Sequence, residues 1–514
     1  MIEQRWQRNL LVFTLPAIVL LFYATASLHF SYTPDDAYIY LQFAKNLVGG
    51  NGISFNAGEP VYGITSPLWL FIVSLGGRMG VDLYVAAKAI DLVLASLALI
   101  VFYFLAYEVI RDIGVALCAT VAFSVNAWFL RWAGSGMETS LSVLLVLATI
   151  LFCLRNEYFP AIVFSALLTL VRPEAALISG LILLDVYINS TSRARALKMI
   201  LSLAIVYTVL VAPWLIYAYL TFGTIVPNTA RGKVGWDFTG GEISSTMAAY
   251  VRTLVAADGS ALLVLMIAGV VLIILLRRLP VDEKGSGRRL YLFRQSLIGI
   301  GLILSLSIFY IATSTNVVSR YLLLLTPFVT MYAFLFFFEA ISLSRWQRYR
   351  YFGVLFLTTI VMLQNQFFYR RYVVPGIQAF EQGMELCLIP IGKWLSQNTP
   401  RESTVVTADI GAIGFYSDRR VCDAAGLASP ALLPLIHPGQ LPEDVIERKL
   451  FRACCSPDYL VHRSPIPEKL KGDPELVPLF TRPFAQTSLA ETRTMFYTLY
   501  KVGRPAAADS TRGL

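Results

Sequence analysis

The feature that most limits what this chain can fold into is a recurring apolar run of about twenty residues, the length that crosses a bilayer as a helix. Such runs lie at 10–27, 85–109, 113–130, 139–154, 158–171, 175–186, 199–220, 261–276, 296–311, 321–343 and 351–368. Hydrocarbon offers backbone groups no partners, so each run must pair its own N–H and C=O groups as a helix. Only 15% of the 514 residues are charged, against roughly 25% in a water-soluble domain. The expectation is a mainly α, polytopic membrane bundle of about eleven transmembrane helices.

Orientation follows from the basic residues. If the runs alternate, Arg5 and Arg8, Arg111, Arg155, Arg193 and Arg195, Arg277 to Arg294, and Arg345 to Arg350 all fall on one side. The positive-inside rule makes that side cytoplasmic and accounts for the net charge of +9 without a nucleic-acid partner. The expected topology puts the N-terminus inside and the C-terminus outside, in a bacterial inner membrane. No small-residue cleavage site is evident before Tyr32, so the first run reads as a retained anchor. The stretch 67–75 is too short to cross and reads as a surface or re-entrant helix.

Two domains are expected. Residues 1–369 form the membrane bundle, with outer loops at 31–66 and 221–259. Residues 370–514 form a small soluble α/β domain on the outer side, with strands near 403–408, 420–423, 459–462 and 494–501 and a turn or short helix at 411–416. Cys118 and Cys153 lie in apolar runs. Cys387, Cys422, Cys454 and Cys455 lie in the tail, where an oxidising compartment permits a disulfide without fixing its pairing. The three histidines exclude a His-rich metal site.

Chemistry concentrates on the outer side. The first outer loop opens with Thr33-Pro34-Asp35-Asp36-Ala37-Tyr38. An acidic first turn of a helix accounts for two adjacent aspartates by itself. The same loop also carries Asn56, Glu59, Tyr62, Thr65 and Trp69, amide, carboxylate and aromatic groups of the kind that bind sugar rings. Further motifs fall on the same side: Gly134 to Thr139 with Glu138, Arg172-Pro173-Glu174, Pro227-Asn228-Thr229 with Arg231 and Lys233, and Ser319-Arg320-Tyr321. Ionisable residues at membrane depth are costly and mark functional sites by default. Arg172, Arg231, Lys233 and Arg320 suit a phosphate. Asp35, Asp36, Glu138 and Glu174 suit proton removal and sugar hydroxyls.

In this order the motifs resemble the integral-membrane glycosyltransferases of the GT-C class. The resemblance is to the branch with the mycobacterial terminal arabinofuranosyltransferase and its proteobacterial relatives. It rests on Asp35 to Ile39 with Phe55 to Trp69, on the Glu138 and Arg172–Glu174 corners, on Phe222 to Lys233, on Ser319 to Tyr321, and on Ala408 to Leu427. Ile64 stands where an aromatic is expected, and Arg231 and Lys233 share the place of one basic residue.

The resemblance implies a polyprenyl-phosphate sugar as donor, with arabinofuranose the nearest analogy. It implies a glycan, glycolipid or glycoprotein acceptor. Asp36 becomes the base that deprotonates the acceptor hydroxyl, with Asp35 in support. Arg172, Arg231, Lys233 and Arg320 hold the leaving phosphate. Glu138, Glu174, Tyr38, Asn56, Glu59, Tyr62, Thr65, Trp69 and Asn228 contact sugar or acceptor. No cofactor is implied, and no complete ligand set supports a divalent cation. Direct displacement inverts the anomeric centre; a retained configuration needs a glycosyl intermediate or a stabilised oxocarbenium ion. The competing readings are a mannosyl or aminosugar transferase of the same class and a flippase of lipid-linked sugars. A transporter calls for repeated halves and midplane ionisable residues, and neither pattern is evident.

Overall fold

In the computed structural model, residues 2–229, 240–277, 283–313, 318–436, 440–487 and 492–503 are described. The chain is a multi-pass helical bundle joined to a mixed-sheet domain. Five helices are long and apolar enough to cross a membrane: Leu83–Ile110, Arg193–Phe222, Ile243–Arg277, Tyr291–Ala312 and Gln347–Asn398. Shorter apolar helices cover Leu11–Ser27, Ile113–Ser124, Thr139–Leu154, Tyr158–Thr169 and Thr326–Ser342. Leu83–Ile110 packs against Thr139–Leu154, and Gly240–Arg277 against Thr326–Ser342. The loop expected at 221–259 is helical from Gly240 onward, so the helix of the run 261–276 begins well ahead of its apolar segment and exceeds bilayer length.

Two expected spans are broken. The run 113–130 stops at Ser124, and a short helix Ala127–Trp132 follows. Asn126 caps that helix by accepting from Trp128 N and Phe129 N, each at 3.1 Å, which satisfies donors that a new helix start leaves unpaired. The run 321–343 divides into Ser319–Leu322 and Thr326–Ser342, with Pro327 in the first turn of the second helix.

The last membrane helix does not end at 369. Arg350–Phe368 runs through a π stretch, Tyr369–Val373, into Val374–Gly383, then through a second, Met384–Leu388, into Ile389–Asn398. Each π stretch holds the carbonyl four residues before a proline, Arg371 before Pro375 and Leu386 before Pro390. A proline lacks the N–H and collides with that carbonyl, and the wider π turn removes both conflicts. The helix therefore continues beyond the roughly 20 residues a bilayer takes and carries the soluble domain directly.

The domain's sheet contains β1 (Thr404–Thr407), β2 (Arg420–Asp423), β3 (Tyr459–Ser464), β4 (Leu476–Thr487) and β5 (Thr492–Val502). The strand order is β2-β1-β3-β5-β4. β1 pairs in parallel with β2 and β3, and β5 pairs antiparallel with β3 and β4. β4 was not expected; its alternation is interrupted by Pro478 and Pro483, tolerated because it is an edge strand.

Cys422 on β2 bonds Cys455 across 33 residues. By loop entropy this closure stabilises the domain by about 3–4 kcal/mol. The C422S/C455S variant is expected to lower the domain's thermal midpoint by an amount that added reductant reproduces in the wild type. Equal midpoints would show that the bridge does not contribute.

Candidate active site where the bundle meets the soluble domain

Pro34 caps the helix Asp35–Val48, so Asp35 and Asp36 are its first two residues. An α-helix turns about 100° per residue, and this rotation gives adjacent carboxylates different surroundings. Asp35 faces the soluble domain. Its two oxygens accept from Gly411 N at 2.9 Å and Ala412 N at 2.8 Å. A Cβ on Gly411 would lie 2.0 Å from the Asp35 carbonyl oxygen, so no larger residue fits there. Asp36 faces a cavity, where Arg320 Nη2 donates to its Oδ2 at 2.6 Å.

Burial pushes the Asp35 carboxyl up to about 7, helped by the nearby Asp409 and Asp36 and opposed by the two backbone N–H groups. The unfolded group ionises near 4. Between these values the folded protein binds more protons, so the Asp35 contribution to stability falls as pH rises from about 4 to about 7. Thermal unfolding at pH 5 and pH 8 should show a drop in the wild type that Asp35→Asn largely abolishes. A drop of the same size in the variant would assign it to other groups.

The cavity beside Asp36 has a volume of about 300 Å³. Its polar wall includes Asp36, Tyr40, Thr65, Glu138, Arg172, Glu174, Thr229, Tyr310, Arg320 and Tyr321. Ile39, Met137, Ile225, Val226 and Phe309 form an apolar side. Arg172 lies 2.9 Å from Glu138 and 3.9 Å from Glu174, and Tyr310 OH donates to Glu174 at 3.0 Å. The Arg172 guanidinium lies 4.7 Å from the centre of the Tyr321 ring, and that of Arg320 lies 5.5 Å from it. The Nε atoms of Arg172 and Arg320 are buried without a hydrogen-bond partner. An unfilled buried donor costs about 1–3 kcal/mol, a cost that an anionic ligand in the cavity would remove. A second cavity, about 490 Å³, lies across the Asp36–Arg320 pair and shares both residues.

Helix Leu83–Ile110 holds the loops that present these groups. Lys88 Nζ donates to Tyr32 O at 2.7 Å and Thr33 Oγ1 at 2.9 Å, just before the aspartates. Asp91 Oδ2 accepts from Ser135 Oγ at 3.2 Å and Gly136 N at 3.1 Å, just before Glu138. Gly136 has φ +83°, a left-handed conformation that glycine adopts without strain.

The residues expected from sequence sort into groups. Asp36, Thr65, Glu138, Arg172, Glu174 and Arg320 meet around the first cavity. Asn56 clamps β2, accepting from Val421 N at 2.9 Å and donating to Val421 O at 3.0 Å. Glu59 pairs with Arg420 at 2.6 Å. Asn228 donates to Leu427 O at 3.0 Å. Tyr38 packs against Phe415 and Tyr416. Tyr38, Asn56 and Glu59, with Asp35, fasten the soluble domain to the first loop, and Asn228 fastens it to the segment after Phe222. Tyr62 accepts from Trp214 Nε1 at 2.8 Å, and Trp69 is fully buried with its Nε1 donating to Gly136 O at 3.2 Å; both brace the loop from below. Arg231 and Lys233 lie outside the described residues.

Sequence reasoning did not single out Lys88, Asp91, Arg131, Trp132 or Tyr310. The available signal was an ionisable pair three apart, Lys88 and Asp91, inside an apolar run. Nothing comparable marked Tyr310 or Trp132.

Comparison with solved structures settles the fold. ArnT from Cupriavidus metallidurans, in the apo state, superposes with a TM-score of 0.60 at 14% identity, over 93% of this chain and 97% of that one. The same protein bound to undecaprenyl phosphate gives 0.61 at 11% identity, over 95% and 97%. This chain has the GT-C glycosyltransferase fold. The apo oligosaccharyltransferase of Archaeoglobus fulgidus shares that GT-C fold, with a TM-score of 0.55 at 13% identity over 87% of this chain and 69% of that one. Within the GT-C fold, residues 375–503 match a family described as a domain of unknown function, DUF8728. The terminal beta-(1->2)-arabinofuranosyltransferase of Mycobacterium tuberculosis (strain ATCC 25618 / H37Rv) is 30% identical over 223 residues, 39% of this chain. The match spans about a third of that relative's length, 34%.

Proposed function

We propose that this protein transfers a sugar from a polyprenyl-phosphate donor to a cell-envelope acceptor, with Asp36 as the general base. The observation that carries this reading is that the Asp36–Arg320 pair lines both cavities, with Arg172 in the wall of the first. The first cavity takes the donor. Its apolar side receives the start of the isoprenoid, and Arg172 and Arg320 receive the phosphate, with Arg231 and Lys233 assigned the same role from sequence. Glu138, Glu174, Tyr310 and Thr65 hold sugar hydroxyls. The acceptor hydroxyl reaches Asp36 from the second cavity.

In the transfer step the acceptor oxygen attacks the anomeric carbon and its proton passes to Asp36. The bond from that carbon to the phosphate oxygen breaks, and polyprenyl phosphate leaves with the electron pair. Negative charge grows on the leaving oxygen, where fixed cations lower the barrier. A solved relative of the same fold binds undecaprenyl phosphate, which supports the donor class. Arabinofuranose is the sugar we favour, from the partial likeness to the mycobacterial arabinofuranosyltransferase. We place the protein in a bacterial inner membrane with about eleven crossings, the N-terminus cytoplasmic, and the site and soluble domain on the outer face.

The test is incubation of the purified protein in detergent with a panel of polyprenyl-phosphate sugars and envelope extracts. One donor should release polyprenyl phosphate in step with glycosylated product. Movement of intact lipid-linked sugar across proteoliposomes, with no release, would favour the flippase reading.

A further inference from the structure

The second cavity holds a cation that the first does not need. Arg131 lines it, near the end of the short helix Ala127–Trp132. Its guanidinium lies 5.3 Å from the centre of the Tyr32 ring and 5.7 Å from that of Trp132. Nη2 donates to Tyr32 OH at 3.2 Å, while Nε is buried without a hydrogen-bond partner. Arg172 has two glutamates beside it, and Arg320 has Asp36. Among the described residues, no carboxylate comes within ion-pair distance of Arg131. Asp35, which also lines the cavity, is already engaged by the Gly411 and Ala412 N–H groups.

The fold holds this arginine in place. Asn126, which caps the helix, donates to Asp258 Oδ1 at 3.0 Å. Trp128 Nε1 donates to Thr253 O at 2.9 Å, and Trp132 Nε1 to Ser319 Oγ at 2.9 Å. A partly buried guanidinium with no counter-charge and an unfilled donor is costly to keep. Ring faces compensate only part of that cost. An anion bound in the cavity removes the remainder, and Arg offers a planar donor fork for phosphate or carboxylate.

We propose that the second cavity selects an acidic acceptor: a glycan or glycolipid carrying a phosphate or carboxylate close to the hydroxyl that is glycosylated. This rests on the transferase reading above. Arg131 holds the acidic group, and the hydroxyl is turned toward Asp36.

The experiment uses the full-length protein in detergent, saturated with undecaprenyl phosphate so that the first cavity is filled. Binding of mannose, mannose 6-phosphate and glucuronic acid is followed by saturation-transfer difference NMR. At least one acidic sugar should bind tenfold or more tightly than mannose. In Arg131→Gln that preference should vanish, with undecaprenyl phosphate binding unchanged, and Arg131→Lys should recover part of it. Preference for mannose 6-phosphate alone identifies a phosphate, and for glucuronic acid alone a carboxylate. Equal binding of all three sugars, no binding of any, or a preference that survives in Arg131→Gln would overturn the inference. Failure of undecaprenyl phosphate to bind the wild type would count instead against the donor assignment, and the comparison of wild type with Arg131→Gln would still decide the acidic preference.

Discussion

Replacing Asp36 by asparagine is expected to lower sugar transfer at least about a hundredfold, the range for loss of a positioned general base. Asparagine keeps the shape of the carboxylate and can still accept from Arg320, so the cavity should persist. What it loses is the capacity to take the acceptor proton. The loss should therefore fall on kcat, with the donor KM little changed. Asp35→Asn provides the contrast. Asp35 meets the Gly411 and Ala412 N–H groups of the soluble domain and does not line the first cavity. That variant should affect stability and its pH dependence more than turnover. Wild-type activity in Asp36→Asn, or equal losses in the two variants, would remove Asp36 from the chemistry.

The second large effect concerns the buried pair Arg172 and Glu138, whose side chains are 5% and 3% exposed. Arg172→Met leaves a buried carboxylate without its cation, a change that typically costs about 3–5 kcal/mol. The thermal midpoint should fall sharply and transfer should disappear. In R172M/E138Q the closer pair is neutral and only Glu174, at 3.9 Å the more distant partner, keeps its charge, so part of the stability should return. Transfer should not return, because the guanidinium that faces the donor phosphate is still missing. This separation distinguishes a ligand-binding cation from a merely structural pair. Full recovery of transfer in the double variant would make Arg172 structural, and an unaltered midpoint in the single variant would mean that Glu138 finds another partner.

Much of the architecture was legible because it depends on local composition. Apolar length predicts helices regardless of what they pack against. In the tail, the expected strands at 403–408, 420–423, 459–462 and 494–501 coincide with β1, β2, β3 and β5 to within a few residues, because each alternates or is bounded by turn residues. β4 escaped because its two prolines read as breakers, and only its edge position makes them acceptable. The helix through 369 escaped for a similar reason. Pro375 and Pro390 signal an end, and the π stretches that absorb them have no sequence signature.

Within the site, the sequence by itself determined the types of group: adjacent aspartates, glutamates at the two corners, and arginines at the ends of apolar runs. Those follow from charge and hydropathy, which are properties of single residues. Only the tertiary structure decided which groups meet. Asp35 and Asp36 are neighbours in sequence, yet helix rotation gives one to the soluble domain and the other to the cavity. Arg320 reaches Asp36 across 284 residues, while Asn56 and Glu59 belong to a domain contact more than 360 residues away in the chain. A contact between distant segments depends on how the helices pack and on where the long C-terminal helix delivers its domain, and no local pattern encodes that geometry.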